Sequence, residues 1–509
     1  MFRELPNEYS HFSRISKKAM KAYILGFDQS TSNTKAMLFD ESGELAARVD
    51  LPHKQIINEL GWVEHNPEEI LSNLFASAGQ LLGQTGIDRS LIKAVTISNQ
   101  RETALAWDRS TGKPLFNAIV WQCARAKELC EALDEHSSFI HERTGLHLSP
   151  YFSAAKFAWM IAHVPEVQEA HSKQQAAFST VDSFLLYHLS EEKVIKTEFS
   201  NASRTQLLNL DALEWDREVA SLFGIDVEAL PELCDSNTLF GTTTLRGLLP
   251  SSVPVHGVMG DSQAALFAQG CFEKGATKAT YGTGSSIMMN IGSSPILSND
   301  LVTSVGWSID GQAVYVLEGN VNYSGATISY LIDNLGILSS PKEAGKIASG
   351  AQHIDGLYMV PAFSGLGSPY WDADARAIII GLDRRSTRSE LVKAAEEAIA
   401  YQIADIVFLM EEEMGSPLKT VHADGGATND SFLMQFQADV LQTTIKIASI
   451  EELSAQGPAF LALMALGFLE INDLKNRPPK KMYIPFKSVS ERDRLYNGWL
   501  GAVKKALTK

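Results

Sequence analysis

The chain is 509 residues long, which at about 150 residues per domain corresponds to two large units or three ordinary ones and excludes a single small binding module. A formal charge of −16 and a pI near 5.3 argue against general affinity for nucleic acid or an anionic membrane, since an acidic surface repels both. With 45% hydrophobic and 20% charged residues the composition is that of a globular protein, neither disordered nor fibrous.

Cys123, Cys130, Cys234 and Cys271 are the cysteines, and none stands in a CxxC pair or at a zinc-ligand spacing, so a reduced, cytoplasmic setting is expected. No run of about 18 apolar residues predicts a membrane span. The polar start of the chain lacks the apolar stretch of a signal peptide, and residues 1–21, with Arg3, Arg14, Lys17, Lys18 and Lys21, read as an exposed N-terminal tail.

In chain order, AYILGF at 22–27 predicts a buried strand that runs into the polar cluster DQSTSNTK at 28–35. KAMLF and ELAARV, joined by the turn DESG, predict two more strands in antiparallel hairpins. Residues 67–83 predict a helix, with Pro67 in its first turn and Ile70, Leu74, Ala78 and Leu81 on one face. AVTISNQ at 94–100 is a second buried strand leading into Arg101 and Glu102, and PYFSAAKFAWMIAHV has a helical pattern. The Pro- and Ser-rich RGLLPSSVPV at 246–255 is the candidate domain boundary. It divides an N-terminal domain, 22–255, from a C-terminal domain, 256–509.

Beyond that boundary VHGVMG ends in Asp261 and KATYGTGSSIMMNIG adds a glycine turn beside a strand. The opening pattern of strand then aspartate returns in outline, which implies a duplicated architecture. TRSELVKAAEEAIAYQIADIVFLMEEEMG predicts a long helix with a Thr387–Glu390 capping box, a face of Leu391, Ala395, Ile399, Ile403, Ile406 and Met410, and a stop at Gly415. VHADGGATNDSFLMQFQADVL reads as strand, loop and helix, and a helix N-terminus after glycines can receive an anion or nucleotide.

Each candidate site has a plainer alternative. Asp28 could hold a divalent cation while turn hydroxyls and N–H groups meet phosphate, or the segment is a polar hairpin loop. Arg101 and Glu102 could together read donor and acceptor faces of a polyhydroxylated ligand, or form a surface pair. Asp261, among small residues, could accept a hydroxyl proton, cap the following helix, or do both. The glycine turns at 282–286, 364–369 and 424–430 are each weak signals. No P-loop, protein-kinase HRD or DFG, HExxH or nucleophile-elbow pattern is present.

Taken together and in order, LGFDQSTSNTKAMLFD, GWVEHNPEEI, ISNQRETALAWDRSTGKPLFNAIVWQ, SPYFSAAK, FSNASRTQLLNL, GDSQAALFAQGC, YGTGSS, VPAFSGLGSPYWD and DGGATNDSFLMQFQADVL resemble the FGGY carbohydrate kinases, most of all their glycerol-phosphorylating branch. The resemblance runs from about residue 22 to the C-terminus. It implies an α/β fold of two actin-like, ribonuclease-H-like domains, with ATP in the interdomain cleft and a small polyol or sugar deeper in. By the same resemblance Asp28 lies near magnesium, and Ser30, Thr31, Ser32 and Lys35 lie near the phosphates. Thr283 lies near the terminal phosphates, and Gly325, Gly426 and Asp430 near the nucleotide. Arg101 and Glu102 grip hydroxyls, Trp121 lies along the carbon skeleton, Tyr151 donates a hydrogen bond, and Asp261 is the catalytic base.

Two departures bear on the substrate. Ser262 stands where the branch has Gln, and Ser286 where its GTG turn carries Phe; both open the pocket and add hydroxyls. On overall likeness glycerol, giving glycerol 3-phosphate, is the first expectation, and the extra space makes a four- or five-carbon polyol or a ketopentose such as xylulose the alternative. A reading of another class is a non-catalytic sugar sensor or an actin-like conformational ATPase, since one fold serves all of these. A sensor could dispense with Asp261, and a conformational ATPase has no use for a polyol clamp. The resemblance also implies a homodimer.

Overall fold

The computed structural model describes residues 22–449 and 452–508, so the tail expected at 1–21 lies outside the described residues. AYILGF forms β1 (Tyr23–Gln29), which turns through the polar cluster into β2 (Asn33–Asp40) and across DESG into β3 (Leu45–Pro52). Both pairings are antiparallel, as expected. Helix α1 (Pro67–Thr85) is capped by Asn66, whose side chain accepts the Glu68 N–H, and stops at Gly86 in the left-handed region. It buries Ile70, Leu74, Ala78 and Leu81 against the sheet before the chain enters β4 (Ile92–Asn99), parallel to β1. An insertion between β4 and the next strand of this sheet carries α2 (Ser153–His163), whose Ala154, Phe157 and Met160 sit in a separate apolar cluster.

Strands β5 (Leu239–Thr243) and β6 (Val253–Gly260) complete a six-stranded sheet of order β5-β6-β4-β1-β2-β3, in which β1, β4 and β6 run parallel. The division expected at 255/256 falls inside β6, because the apolar run VPVHGVMG keeps pairing with β4 as far as Gly260. Helix α3 (Asp261–Ala268) then leads away from this sheet.

The second sheet contains β7 (Ala276–Tyr281), β8 (Ser285–Gly292), β9 (Val302–Ile309), β10 (Gln312–Val321), β11 (Thr420–Asp424), β12 (Ile445–Ile447) and β13 (Lys481–Tyr483). Their order is β9-β10-β8-β7-β11-β12-β13. As in the first sheet, the opening strand has antiparallel strands on one side and two parallel strands on the other, the latter closed by an antiparallel edge strand. The duplication is real, but the strand that repeats β1 is β7, and Asp261 instead follows the last parallel strand of the first sheet. An apolar strand that ends in an acid occurs wherever a parallel strand opens onto a cleft, so that pattern does not fix the phase of the repeat.

Helices α4 (Gly325–Asp333), α5 (Ala344–Gly350), α6 (Arg388–Met414) and α7 (Ser431–Leu441) serve the second half. Helix α6 has the expected capping box and ends at Gly415 in the left-handed region. Ala395, Ile399, Ile403, Ile406 and Met410 are buried and Leu391 is half-buried, yet Glu396, Glu397 and Asp405 are buried as well, so the helix is enclosed on nearly all sides. Helix α8 (Leu453–Ala465) packs back on β1, β4, β6 and α3 of the first half. Gly457 permits that approach, since a Cβ there would lie 2.3 Å from the Ala264 carbonyl oxygen. Ile24, Met37 and Phe39 of the first sheet, Met288, Trp307 and Val316 of the second and Phe460 of α8 form one apolar cluster that joins the halves. No helix among the described residues is long and apolar enough to cross a membrane.

Candidate active site

Because β1, β4 and β6 are parallel neighbours, their C-terminal ends bring Asp28, the Asn99–Glu102 segment and Asp261 to one edge of the first sheet. Open α/β sheets bind ligands at this edge. Asp28 is buried; its Oδ1 accepts from Ser98 Oγ at 2.9 Å, and its Oδ2 lies 3.3 Å from Lys35 Nζ. Burial pushes the Asp28 carboxyl above its ordinary range, with the Lys35 charge opposing. Lys35 also donates to Glu452 Oε2 at 2.8 Å. Burial works against its ammonium, but the two carboxylates outweigh burial and raise its pKa.

The turn that follows Asp28 divides its hydroxyls among different tasks. Ser30 Oγ donates to Asn33 Oδ1 at 2.6 Å and accepts the Asn33 N–H at 3.3 Å, so this side chain closes the hairpin. Thr31 Oγ1 accepts from the indole of Trp121 at 2.9 Å, which ties the turn to the polyol side of the site. Ser32 is exposed, and its carbonyl accepts the His53 N–H at 3.2 Å.

Beside Asp261 lies a buried network of charges. Arg101 Nε stands 3.1 Å from Asp261 Oδ1, while its two terminal nitrogens grip Glu318 Oε2 and Oε1 at 2.9 and 3.0 Å. Arg204 reaches the same Glu318 at 3.1 Å and donates to Glu102 Oε1 at 2.5 Å. Ser286 Oγ donates to Glu318 Oε1 at 3.2 Å. Arg101, Arg204, Glu102 and Glu318 are all buried; burial alone would raise the Glu318 carboxyl, but the two guanidinium groups hold it far below the carboxylate range. Asp261 is the exposed member, with 34% of its side chain open. Burial raises its pKa and Arg101 opposes that shift. Its Oδ1 also accepts the Ser262 N–H at 2.7 Å, so the aspartate caps no later residue of α3 with its side chain.

Glu102 is held in a left-handed conformation with φ of +62°, a cost of about 1–3 kcal/mol that persists only where the surroundings impose it. The Thr103 N–H donates to the Arg101 carbonyl at 2.8 Å and Ser153 Oγ to the Glu102 carbonyl at 3.1 Å. Lys156 of α2 donates to the carbonyls of Tyr151 and Phe152, which fixes the loop that carries Tyr151. The Tyr151 and Trp121 rings meet edge to face with centroids 5.5 Å apart. All five expected polyol residues therefore belong to one connected set. Glu318 and Arg204 were not singled out from the sequence; an acid inside the apolar strand QAVYVLEGNV was the available sign of the first.

The remaining expected positions gather in a second place. A cavity of about 870 Å³ is lined by Gly282, Thr283, Gly325, Gly426 and Asp430 together with residues of α5, α6 and α7. The GTG turn is stitched to the start of α4: Gly282 O accepts the Gly325 N–H, and Thr283 O accepts the Ser324 and Ala326 N–H groups, each at 3.0 Å. A Cβ on Gly325 would fall 2.7 Å from Gly282 O, and one on Gly425, at φ of +95°, 2.3 Å from Tyr281 O, so both positions require glycine. Asp430 caps α7 by accepting the Phe432 and Leu433 N–H groups at 2.8 and 3.1 Å.

Two sheets with a like core of antiparallel and parallel neighbours about the opening strand, one presenting a carboxylate beside a polar clamp and the other a glycine-walled cavity, define a phosphotransferase of the actin-like, ribonuclease-H-like class. Residues 23–268 match the N-terminal domain, and residues 277–466 the C-terminal domain, of the FGGY family of carbohydrate kinases; the chain belongs to this family. It is similar to glycerol kinase 1 of Thermotoga maritima, with 46% identity over 96% of this chain and 100% of that protein. It is likewise similar to the glycerol kinase of Bacillus licheniformis, at 40% identity over 96% of this chain and 99% of that protein. The crystal structure of Plasmodium falciparum glycerol kinase with ADP superposes with a TM-score of 0.91 at 32% identity, covering 96% of this chain and 99% of that one. A xylulose kinase of Lactobacillus acidophilus, at 21% identity and a TM-score of 0.84 over 95% of this chain and 98% of that one, shares the fold.

Proposed function

We propose that the chain transfers the γ-phosphoryl group of ATP to a terminal hydroxyl of glycerol, giving glycerol 3-phosphate and ADP. The observation that carries this reading is Asp261, held by Arg101 at 3.1 Å at the edge of the first sheet, in a chain 46% identical to a glycerol kinase. Arg101 and Ser262 both address Oδ1 of Asp261, which leaves Oδ2 to take the proton of the attacking hydroxyl. As the new oxygen–phosphorus bond forms, the bond from the γ-phosphorus to the bridging oxygen breaks and ADP departs. Such transfer needs positioning and charge neutralisation more than covalent help.

Trp121 and Tyr151 would flank the carbon skeleton, and Arg101 and Glu102 would fix the remaining hydroxyls. Thr283, Gly325, Gly426 and Asp430 would hold the nucleotide, with Ser30, Thr31, Ser32 and Lys35 toward its phosphates. Among the described residues no group of three or more His, Cys, Asp or Glu suits a metal ion. That fits magnesium, which takes one or two carboxylates and completes its shell with phosphate and water. Asp28 would be its protein ligand, and the bound ion would neutralise phosphate charge. The family resemblance supports a homodimer, and four free, buried cysteines suit the reducing cytoplasm.

Incubation with ATP, magnesium and glycerol, with the product identified by phosphorus NMR, tests the reading: glycerol 3-phosphate is expected, and ATP hydrolysis indifferent to any polyol would favour a conformational ATPase. The base must be ionised to work, and its pKa is raised. Activity is therefore lost as pH falls through a value above the ordinary aspartate pKa of about 3.9. A kcat/KM profile still flat at pH 4 would remove Asp261 as the base.

Ser286 bears on substrate choice. Its hydroxyl donates to Glu318, so its proton is committed to the clamp rather than to a longer substrate. Ser286→Phe fills the space beside Glu318 and is expected to shift preference further toward glycerol, measured as kcat/KM for glycerol over xylitol. An unchanged ratio would show that pocket size at this position does not select the substrate.

A further inference from the structure

We infer that Glu396 is the base-reading residue of the nucleotide cavity, hydrogen-bonding the N1 and N6 edge of adenine. This inference rests on the reading of the 870 Å³ cavity as the ATP site. Gly282, Thr283, Gly325 and Gly426 line it, where backbone groups can meet phosphates. Ile328, Pro341, Gly345, Ile399, Phe432 and Leu433 offer apolar or small surfaces suited to the two faces of a purine, and Lys342, Lys346, Asn429, Asp430 and Glu396 are the polar side chains among them.

The Glu396 side chain lies in the cavity wall from α6 and is 2% exposed, and its Oε2 has no hydrogen-bond partner. Several other buried carboxylates are satisfied: Glu318 by two arginines, Asp405 by Trp499 and Tyr496, Asp182 by Thr180 and Thr197. A buried polar atom left without a partner is costly, and at the wall of a ligand cavity a bound ligand can supply that partner. Leucine at this place would continue the apolar wall at no such cost.

The chemistry of the carboxyl fits a base edge. The charged group that acts on it is Asp430 at the start of α7, while Lys342, Lys346 and Tyr281 line the same cavity. Burial, reinforced by the Asp430 charge, pushes Glu396 up to about 8, so at neutral pH it carries its proton and presents one donor and one acceptor. Adenine answers with N1 as acceptor and the N6 amino group as donor. When the proton leaves, two acceptor oxygens face N1, which repels them, whereas the N1–H and N2 amino group of guanine would both donate to a carboxylate. Base preference at this site is thus coupled to pH.

Direct binding of ADP and GDP to the full chain by titration calorimetry tests this without any acceptor substrate. ADP is expected to be preferred at pH 6.5, and that preference to fall about tenfold by pH 9.5, the effect of one lost hydrogen bond with an unpaired acceptor. In Glu396→Gln, an isostere of the protonated form that does not titrate, the preference is expected to stay constant over the same range. In Glu396→Leu the preference at pH 7 is expected to fall about tenfold, with folding verified by circular dichroism. A wild-type preference that ignores pH, or a leucine variant with unchanged preference, would overturn the role of Glu396 while the ATP site stands. Failure of the wild type to bind either nucleotide would overturn both.

Discussion

Asp261→Asn is expected to lower kcat by about 10²- to 10⁴-fold, the usual contribution of a positioned general base, while ADP binding stays within a few-fold of wild type. The amide keeps the size of the side chain and can still accept from Arg101 and Ser262 through its oxygen. It cannot take the hydroxyl proton at the other position. Nucleotide binding survives because the cavity that contains Thr283, Gly325, Gly426 and Asp430 is walled by the second half of the chain and does not include Asp261. Steady-state turnover and calorimetric ADP binding on one preparation separate the two effects. Turnover near wild type would remove Asp261 from the chemistry.

Glu318→Ala is expected to destabilise the fold by about 3–5 kcal/mol, the cost of leaving a buried charge without its partner. Glu318 accepts from both terminal nitrogens of Arg101 and from the Ser286 hydroxyl, and it pairs in charge with Arg204 at 3.1 Å; the residues around it are buried. Removing it leaves two guanidinium groups facing each other with one carboxylate, Glu102, between them and Asp261 at the rim. Arg101 would then draw closer to Asp261, so the polyol KM is expected to rise along with the loss of stability. Urea unfolding and glycerol kinetics check the two parts. A change below about 1 kcal/mol, the worth of an ordinary exposed pair, would show that the cluster is not the closed network its distances describe.

Local features of the fold were legible because local chemistry decides them. The capping box at Thr387 and Glu390, the stop at Gly415, the hairpin at 40–43 and the buried apolar run of β1 are all set by neighbours in sequence. What sequence left open depends on distant partners. The repeat of the first sheet begins at β7, and only pairing shows it; α8 returns to the first half, and only packing with Ala264 shows it.

The site divides the same way. Asp28, Arg101, Glu102 and Asp261 sit at strand ends, where polar residues after an apolar run announce themselves. Glu318 and Arg204 come to Arg101 and Glu102 from 217 and 102 residues away, with nothing local to mark them as partners. Lys35 lies between Asp28 and Glu452, a pairing that spans 417 residues and that no local pattern announces. The Ser30 hydroxyl is turned to Asn33 within the turn, and the Thr31 hydroxyl to Trp121, 90 residues away.

The central claim is phosphoryl transfer from ATP to glycerol at Asp261, and substrate preference tests it most directly. The measurement is kcat/KM for ATP-dependent phosphorylation of glycerol, erythritol, xylitol, D- and L-xylulose, ribulose and gluconate under one set of conditions. Glycerol is expected to lead by about 100-fold or more, since a site built to pair each hydroxyl of its substrate rejects one that leaves its polar groups unpaired. A lead by a four- or five-carbon polyol or a ketopentose would contradict the account and mark Ser262 and Ser286 as the residues of a changed pocket.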